Sequence, residues 1–556
     1  MEGVPRVPPE AAERRRCRIG AAMAVLLVVL PLMLMRVFLG DQADSIDALL
    51  RQAHVKQQSP RNASDPEAAP VRTEHEHDRL LGGLLSPDFH DEQACRSRYE
   101  ASTLWKTSPF SVAPYLVRRL RQYEANHSRC GPRTARYREA AAQLQSGRNA
   151  GGADCRYVVW LPMQGLGNRM LSLASTFLYA LLTGRVVLVH QPPEMEGLFC
   201  EPFPGTSWLL PPDFPYKDGF WSGSKESYVN MLENNVVRYD MVNNASALPA
   251  YVYLHLENTR FRFQNHTFCE EDHLLLDKFK WMVLSSDSYF AVALFLMPAY
   301  REELDRMFPA KGAVFHQLGR YLFHPGNRAW GMAQRFFAGY LAGANERLGV
   351  QVRVGPYQLA FPFEVMSEQI LRCTREHGLL PQLTHNTERA AGSVRLANSI
   401  AVKAVLVVSL KPEYYDKLHG MYYSNAAASS TGQEVVVSVY QPSHDEDQRT
   451  DSRAHNERAL AEIYLLSFCD EVVTTGWSTF GYVAHSLAGL RPWVLTPLDW
   501  TKMKAENACV RPESVEPCMH SLPSFDCWRS GQDLDPVVHL PFLRHCEDVP
   551  AGLQLF

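Results

Sequence analysis

Between Gly349 and Thr496, short and almost wholly apolar runs alternate with stretches of helical apolar spacing, and no other feature limits the fold as much. The pattern predicts strand 350–354 leading to helix 363–375, strand 401–409 to helix 413–422, and strand 434–440 to helix 457–468. Strand 471–475, helix 479–488 and strand 493–496 follow. A strand without polar alternation is buried on both faces, which suits a parallel sheet covered by helices. An earlier unit has the same form: strand 157–161, a turn at Gly165 and Gly167, helical spacing over 168–182, a cap at Gly184, and strand 185–189. Such a β-α-β unit calls for a right-handed crossover. Two blocks predict an α/β protein with two Rossmann-like domains facing each other across a cleft, ligands binding at the carboxyl ends of the strands.

The N-terminus fixes a compartment. Residues 19–35 carry no charge, and if Arg36 snorkels to the interface the apolar run reaches Gly40, long enough for roughly 30 Å of hydrocarbon. Arg6, Arg14, Arg15, Arg16 and Arg18 precede the run and Asp41, Asp44 and Asp47 follow it, placing the short tail in the cytosol. A cleaved signal peptide is the rival, but the run exceeds an ordinary signal core and no small-x-small site closes it. The division expected is tail 1–18, signal anchor 19–40, polar stem 41–90, a first Rossmann-like domain 91–345, a second 346–500, and a disulfide-rich tail 501–556 packing back on the domains.

Cysteine usage agrees with an oxidising lumen. Of 12 cysteines Cys17 is cytosolic, leaving an odd number outside. Cys469, in the apolar helical run 463–468, is the expected free thiol, whereas Cys509, Cys518, Cys527 and Cys546 crowd the tail. Asn62, Asn126, Asn244 and Asn265 head N-x-Ser/Thr triplets, the acceptors of N-glycosylation. With 56 Lys and Arg against 60 Asp and Glu there is no broad cationic field, so no nucleic-acid partner is expected.

Three places carry candidate chemistry. Gln164-Gly165-Leu166-Gly167-Asn168-Arg169 stands at a strand-to-helix turn, where small residues allow close backbone approach and helix N–H groups face an anion. The third glycine of a dinucleotide fingerprint is missing, and a plain tight turn capped by Asn168 is the competing reading. Arg353, read inside strand 350–354 near its carboxyl end, suits a bidentate grip on a diphosphate, against the plainer reading of an edge-strand arginine in water. Trp477-Ser478-Thr479-Phe480-Gly481-Tyr482 is a second strand-to-helix turn, an anion cradle with rings able to stack on a base, against the plainer reading of a Ser/Thr cap. The D-x-D triplets Asp445–Asp447 and Asp533–Asp535 end no strand and read as solvated loops rather than cation sites.

At these motifs the chain resembles the plant xyloglucan α-(1,2)-fucosyltransferase family. The likeness rests on Gln164 to Arg169, Leu198-Phe199-Cys200-Glu201-Pro202-Phe203-Pro204, Leu322-Phe323-His324-Pro325, Gly349 to Arg353, Gln441-Pro442-Ser443, Trp477 to Tyr482 and Glu516-Pro517-Cys518. It spans roughly 150 to 550; after Arg353 the sequence departs, Gly355-Pro356-Tyr357 replacing a Phe-led continuation. The resemblance implies a GT-B-like, inverting, metal-independent Golgi enzyme, single-pass type II with a lumenal catalytic domain, moving L-fucose from GDP-fucose to a galactosyl hydroxyl of a cell-wall glycan. It implies no cofactor beyond the donor, an acceptor-side first domain and a donor-binding second one. Arg353 would hold the diphosphate, Trp477, Ser478, Thr479, Phe480 and Tyr482 would line the GDP site, Gly165, Gly167, Asn168 and Arg169 would face the donor, and Asp287 would match an aspartate of the base type. Arabinogalactan-protein side chains are the alternative acceptor, a non-catalytic tethered glycan-binding protein the alternative class, and a homodimer stays open.

Overall fold

The computed structural model describes residues 80–149, 155–215, 223–257, 267–354, 362–384, 401–498, 505–521 and 535–556. Two compact units, Met1–Val71 and Arg72–Phe556, divide the chain, and every described residue belongs to the second. The expected cytosolic tail, anchor and most of the stem lie outside the described residues, as do Asn62, Asn265, Cys527, Asp533 and the departure at 355–357. Among the described residues no helix is long and apolar enough to cross a membrane.

Strands β1 (Tyr157–Pro162), β2 (Val186–Val189), β3 (Tyr251–Leu256) and β4 (Trp281–Ser286) form the first sheet, all parallel in the order β2-β1-β4-β3. The helix Leu166–Thr183 joins β1 to β2 and stops where Gly184, at φ 66°, takes the left-handed conformation that glycine adopts freely. Strands β3 and β4 come from the aromatic-rich middle of the chain.

The second sheet contains β5 (Glu346–Val352), β7 (Ala401–Ser409), β9 (Val435–Tyr440), β10 (Glu471–Thr475), β11 (Trp493–Leu495) and β12 (Cys509–Val510). Its order is β12-β11-β10-β5-β7-β9, parallel except for β12, while β6 (Gln382–Thr384) and β8 (Ala426–Ala428) pair antiparallel beside it. Strand β5 begins earlier than its apolar run and ends at Val352, so Arg353 is the first residue beyond the strand. The helix Arg453–Ser467 begins four residues before the expected 457, because Ser452 caps it by accepting from His455 N, a signal hidden in a polar run.

One buried cluster joins the sheets. Trp160, Phe177, Leu406, Tyr464, Tyr482 and Leu487 belong to it, so helices of both sheets share one dry layer. The C-terminal segment locks this arrangement: Cys373–Cys509 ties it to the helix Phe363–Glu376 and Cys518–Cys546 closes it on itself. Within it, Glu516 accepts from Tyr289 Oη at 2.7 Å and from Phe315 N at 2.8 Å. Cys95–Cys200 and Cys130–Cys155 brace the first half, Cys269 is also disulfide-bonded, and the buried Cys469 is the free cysteine among the described residues. Asn244 is exposed; Asn126 is half-buried and donates to Gly184 O at 3.3 Å.

Candidate active site

At the carboxyl ends of both sheets lies a cavity of about 890 Å³. Two turns of one design form its floor. In the first, Gln164 at φ 59° precedes Gly165 and the helix Leu166–Thr183; in the second, Trp477 at φ 60° precedes Ser478 and the helix Thr479–Ala488. Left-handed backbone at a non-glycine residue is strained and must be held by its surroundings. Arg169 holds the first turn, donating from Nε to Gln164 O at 2.9 Å while its guanidinium also pairs with Glu194 at 3.3 Å. Its side chain is buried and absent from the cavity wall, so Arg169 supports the turn that it was expected to extend toward the donor. Asp548 holds the second: its carboxylate accepts from Trp477 N at 2.8 Å and from Tyr482 Oη, and its carbonyl accepts from Trp477 Nε1 at 2.6 Å. Tyr482 is thus also behind the cavity rather than on it.

The turns touch. A Cβ on Gly167 would stand 2.7 Å from Phe480 N and from Thr479 C, so the bareness of Gly167 serves the opposing turn. Asn168 is the junction: its Oδ1 accepts from Thr479 Oγ1 at 2.9 Å and its Nδ2 donates to Asp287 O at 3.0 Å. Two helix N-termini, each with uncompensated N–H groups, therefore converge on one space. Asp287 follows β4, is buried and lines the cavity.

Arg353 N donates to Thr475 Oγ1 at 2.9 Å, fixing the end of β5 against the end of β10. Its guanidinium lines the cavity and meets no carboxylate or carbonyl among the described residues; burial alone pushes its pKa below the ordinary arginine value. A half-buried cation without an anion is costly to maintain in an empty site and suits one that receives an anion. Half of the Trp477 surface is exposed beside it.

Asp445 was expected in a solvated loop and instead forms part of the cavity wall. Arg458 grips its carboxylate through Nη2 at 2.8 Å and Nε at 2.9 Å, and His455 Nδ1 adds a contact at 3.0 Å. Burial resists its ionisation, yet these partners hold its pKa below the usual aspartate range. Asp535 accepts from Val537 N and from His545 Nε2, a short-helix cap.

Sequence reasoning missed Asp548, His520, Ser443 and Glu462. Asp548 and His520 arrive from the tail, and nothing local marks them. Tyr482 Oη donates to Asp548, so the tyrosine oxygen accepts the Nε2 proton of His520 at 3.3 Å, and burial, opposed by the Asp548 charge, pushes the pKa of that imidazole down. Glu462 had a signal: a carboxyl inside the apolar stretch 460–466.

A family model described as xyloglucan fucosyltransferase matches residues 49–528. A galactoside 2-alpha-L-fucosyltransferase of Arabidopsis thaliana is 44% identical over 481 residues, covering 86% of this chain and 83% of the relative. Another from Pisum sativum is 42% identical, covering 86% and 82%. Among solved structures, a point mutant of Arabidopsis thaliana FUT1 in complex with GDP aligns with a TM-score of 0.76 at 42% identity, covering 86% of this chain and 100% of that one. The matched residues 49–528 span both sheets and both turns, and the chain belongs to the xyloglucan fucosyltransferase family.

Proposed function

We propose that the protein transfers L-fucose from GDP-fucose, with inversion and in α-(1,2) linkage, to galactosyl residues of xyloglucan. The observation that carries this reading is the guanidinium of Arg353, unpaired among the described residues, in a cavity where two helix N-termini meet, in a chain 42% identical to a GDP-bound FUT1. As the sugar leaves, negative charge builds on the GDP diphosphate; Arg353 and the turn at Trp477, Ser478, Thr479 and Phe480 stabilise that charge more than the ground state. The acceptor hydroxyl attacks the anomeric carbon from the opposite face, and Asp287, carried at the end of β4 and fixed through Asn168, takes its proton. Gly165, Gly167 and Asn168 shape the donor side, with Arg169 and Tyr482 supporting the turns.

The reaction is proposed to run without a metal. Arg458 and His455 already occupy both oxygens of Asp445, which makes it an ion pair rather than an open cation site. Residues 91–345 are assigned the acceptor side and 346–500 the donor, closed by the tail 501–556. The setting proposed is the Golgi lumen, reached through the anchor 19–40, with N-glycans on the exposed sequons. Purified protein given GDP-fucose and galactosylated xyloglucan oligosaccharide in a chelating buffer should form an α-(1,2)-fucosylated product by linkage analysis. No product with any galactose-containing wall glycan would overturn the reading.

A further inference from the structure

Glu462 sits on the cavity-facing side of the helix Arg453–Ser467, between the buried Ala461 and Ile463. A carboxyl placed in such an apolar stretch is costly unless it is paired or used. No cation pairs with it among the described residues; Arg458, one turn back, is spent on Asp445. Among the described residues the hydrogen-bond partner of its side chain is Ser443, whose hydroxyl donates to Oε1 at 2.6 Å. Two neighbouring carboxyls are thereby set apart. Asp445 is locked as an ion-paired anion, whereas burial, with the charge of Asp445 adding and Ser443 opposing, pushes Glu462 up to about 7. Carboxyl pairs separated in this way are a mark of working sites.

The position says what Glu462 can touch. Ser443 follows β9, which lies two strands from β5 in the sheet order, so it stands ~10 Å along the sheet from Arg353. The same loop reaches the first sheet: a Cβ on Gly165 would come within 2.7 Å of Gln448 Nε2. Ser443 and Glu462 therefore line the part of the cavity where the sheets meet, beyond the diphosphate grip. An anion is not welcome beside Asp445 and Glu462. Guanine pairs its N1–H and amino group best with both oxygens of an otherwise unengaged carboxylate, whereas Ser443 already donates to Oε1. A hydroxyl needs one acceptor.

We propose that the Glu462 carboxyl, oriented by Ser443, accepts a hydrogen bond from a sugar hydroxyl in the fucosyl-transfer site. This rests on the transfer reading above. The hydroxyl belongs either to the fucosyl ring of the donor or to the receiving galactose, and the two are separable. The charged and titratable groups around Glu462 are Asp445 on the loop, Arg458 and His455 on its own helix, and Asp287, Arg353 and His520 on other walls of the cavity.

The test compares wild type with Glu462→Gln by calorimetry with GDP and with GDP-fucose, and by steady-state kinetics in acceptor. GDP affinity should stay within ~2-fold, while either GDP-fucose affinity falls or acceptor KM rises by ~10-fold or more. The first result assigns the hydroxyl to the donor sugar, the second to the acceptor. The affected constant in wild type should improve as pH rises through about 7 and should be flat in Glu462→Gln. Ser443→Ala removes the bond that opposes the upward shift, so it should move that pH limb higher while leaving the carboxyl in place. A Glu462→Gln protein that loses GDP binding itself, or one with both constants and the pH profile unchanged, overturns the inference. A wild type that transfers no fucose overturns the functional reading, and this inference with it.

Discussion

Thr479 Oγ1 donates to Asn168 Oδ1 at 2.9 Å, joining residues 311 positions apart and tying the first turn of one sheet's helix to the first turn of the other's. The same amide donates to Asp287 O, so one side chain sets the spacing of the donor turn, the first-sheet turn and the carboxyl proposed as base. Asn168→Ala removes both bonds while the shared apolar layer stays. The expected result is a fall in kcat of ~10²-fold, because small misplacements of reacting groups cost that much, with a nearly unchanged melting midpoint. Turnover close to wild type in steady-state assays would show that the turns hold their spacing without it.

Arg353 has no anionic partner among the described residues, so nothing in the fold depends on its charge. Arg353→Ala should retain the melting midpoint and weaken GDP by ~2–3 kcal/mol, the scale of a hydrogen bond to a charged group, measured by calorimetry. Lys at this position should recover part of the affinity, since it restores the charge but not the planar fork. Unchanged GDP affinity in the alanine variant would remove Arg353 from the diphosphate site.

Asp287 is buried and its carbonyl serves Asn168, so replacing the carboxylate alone leaves that backbone link in place. Asp287→Asn should keep GDP bound and lose ~10²–10⁴-fold in kcat, the range of a general base. A kcat within a few fold of wild type would leave acceptor deprotonation to another group or to water.

What was legible in the sequence is what leaves a local trace. Strands apolar on both faces, such as Tyr157–Pro162 and Ala401–Ser409, announce a parallel sheet, and Gly184 after a helical run announces its end. Arg353 was visible because a charge at the close of an apolar run is conspicuous. The reason for Gly167 was not, since its constraint is the backbone of Phe480, and Asp548 meets Trp477 only through folding across 71 residues. Contacts between distant segments have no period, so neither spacing nor composition reports them. The start of the helix Arg453–Ser467 was missed for a smaller reason: its first turn is polar, and only the Ser452 cap marks it.

Gly167→Ala sets two effects against each other. Alanine is favoured over glycine in a helix by ~1 kcal/mol. The added methyl, however, would lie 2.7 Å from the backbone of Thr479 and Phe480, and overpacking against atoms that cannot rotate away costs ~1–3 kcal/mol. The clash should win, lowering the melting midpoint and separating the turns so that GDP affinity falls too. Gly339→Ala, where a Cβ would meet nothing within 4 Å, serves as the control and should be neutral or stabilising. Equal behaviour of the two variants would mean that the turns part without cost.

Stability should peak near neutral pH, and the sign follows from which groups burial shifts. Burial holds His127 and His273 down to about 4, His324 and His485 to about 3, and His316 well below its usual value. Released in the unfolded chain, these imidazoles titrate near 6.5, so the unfolded state binds more protons as pH falls below that value. Their contribution is complete above pH 6.5 and drains away as pH falls, by about 4 for His127 and His273 and further down for His324, His485 and His316. Glu516 acts in the opposite sense: burial first, against the bonds from Tyr289 and Phe315, raises it to about 8, so its contribution is complete below the ordinary carboxyl range and is lost as pH rises through 8. Five imidazoles outweigh the carboxyl on the acid side, and each net proton tilts stability by ~1.4 kcal/mol per pH unit. The melting midpoint should therefore fall steeply below pH 6 and only gently above pH 7. Glu516→Gln should flatten the gentle limb and steepen the acid limb by about one proton between the ordinary carboxyl range and pH 6; a variant curve parallel to wild type on both sides would show that Glu516 does not carry its proton in the folded protein.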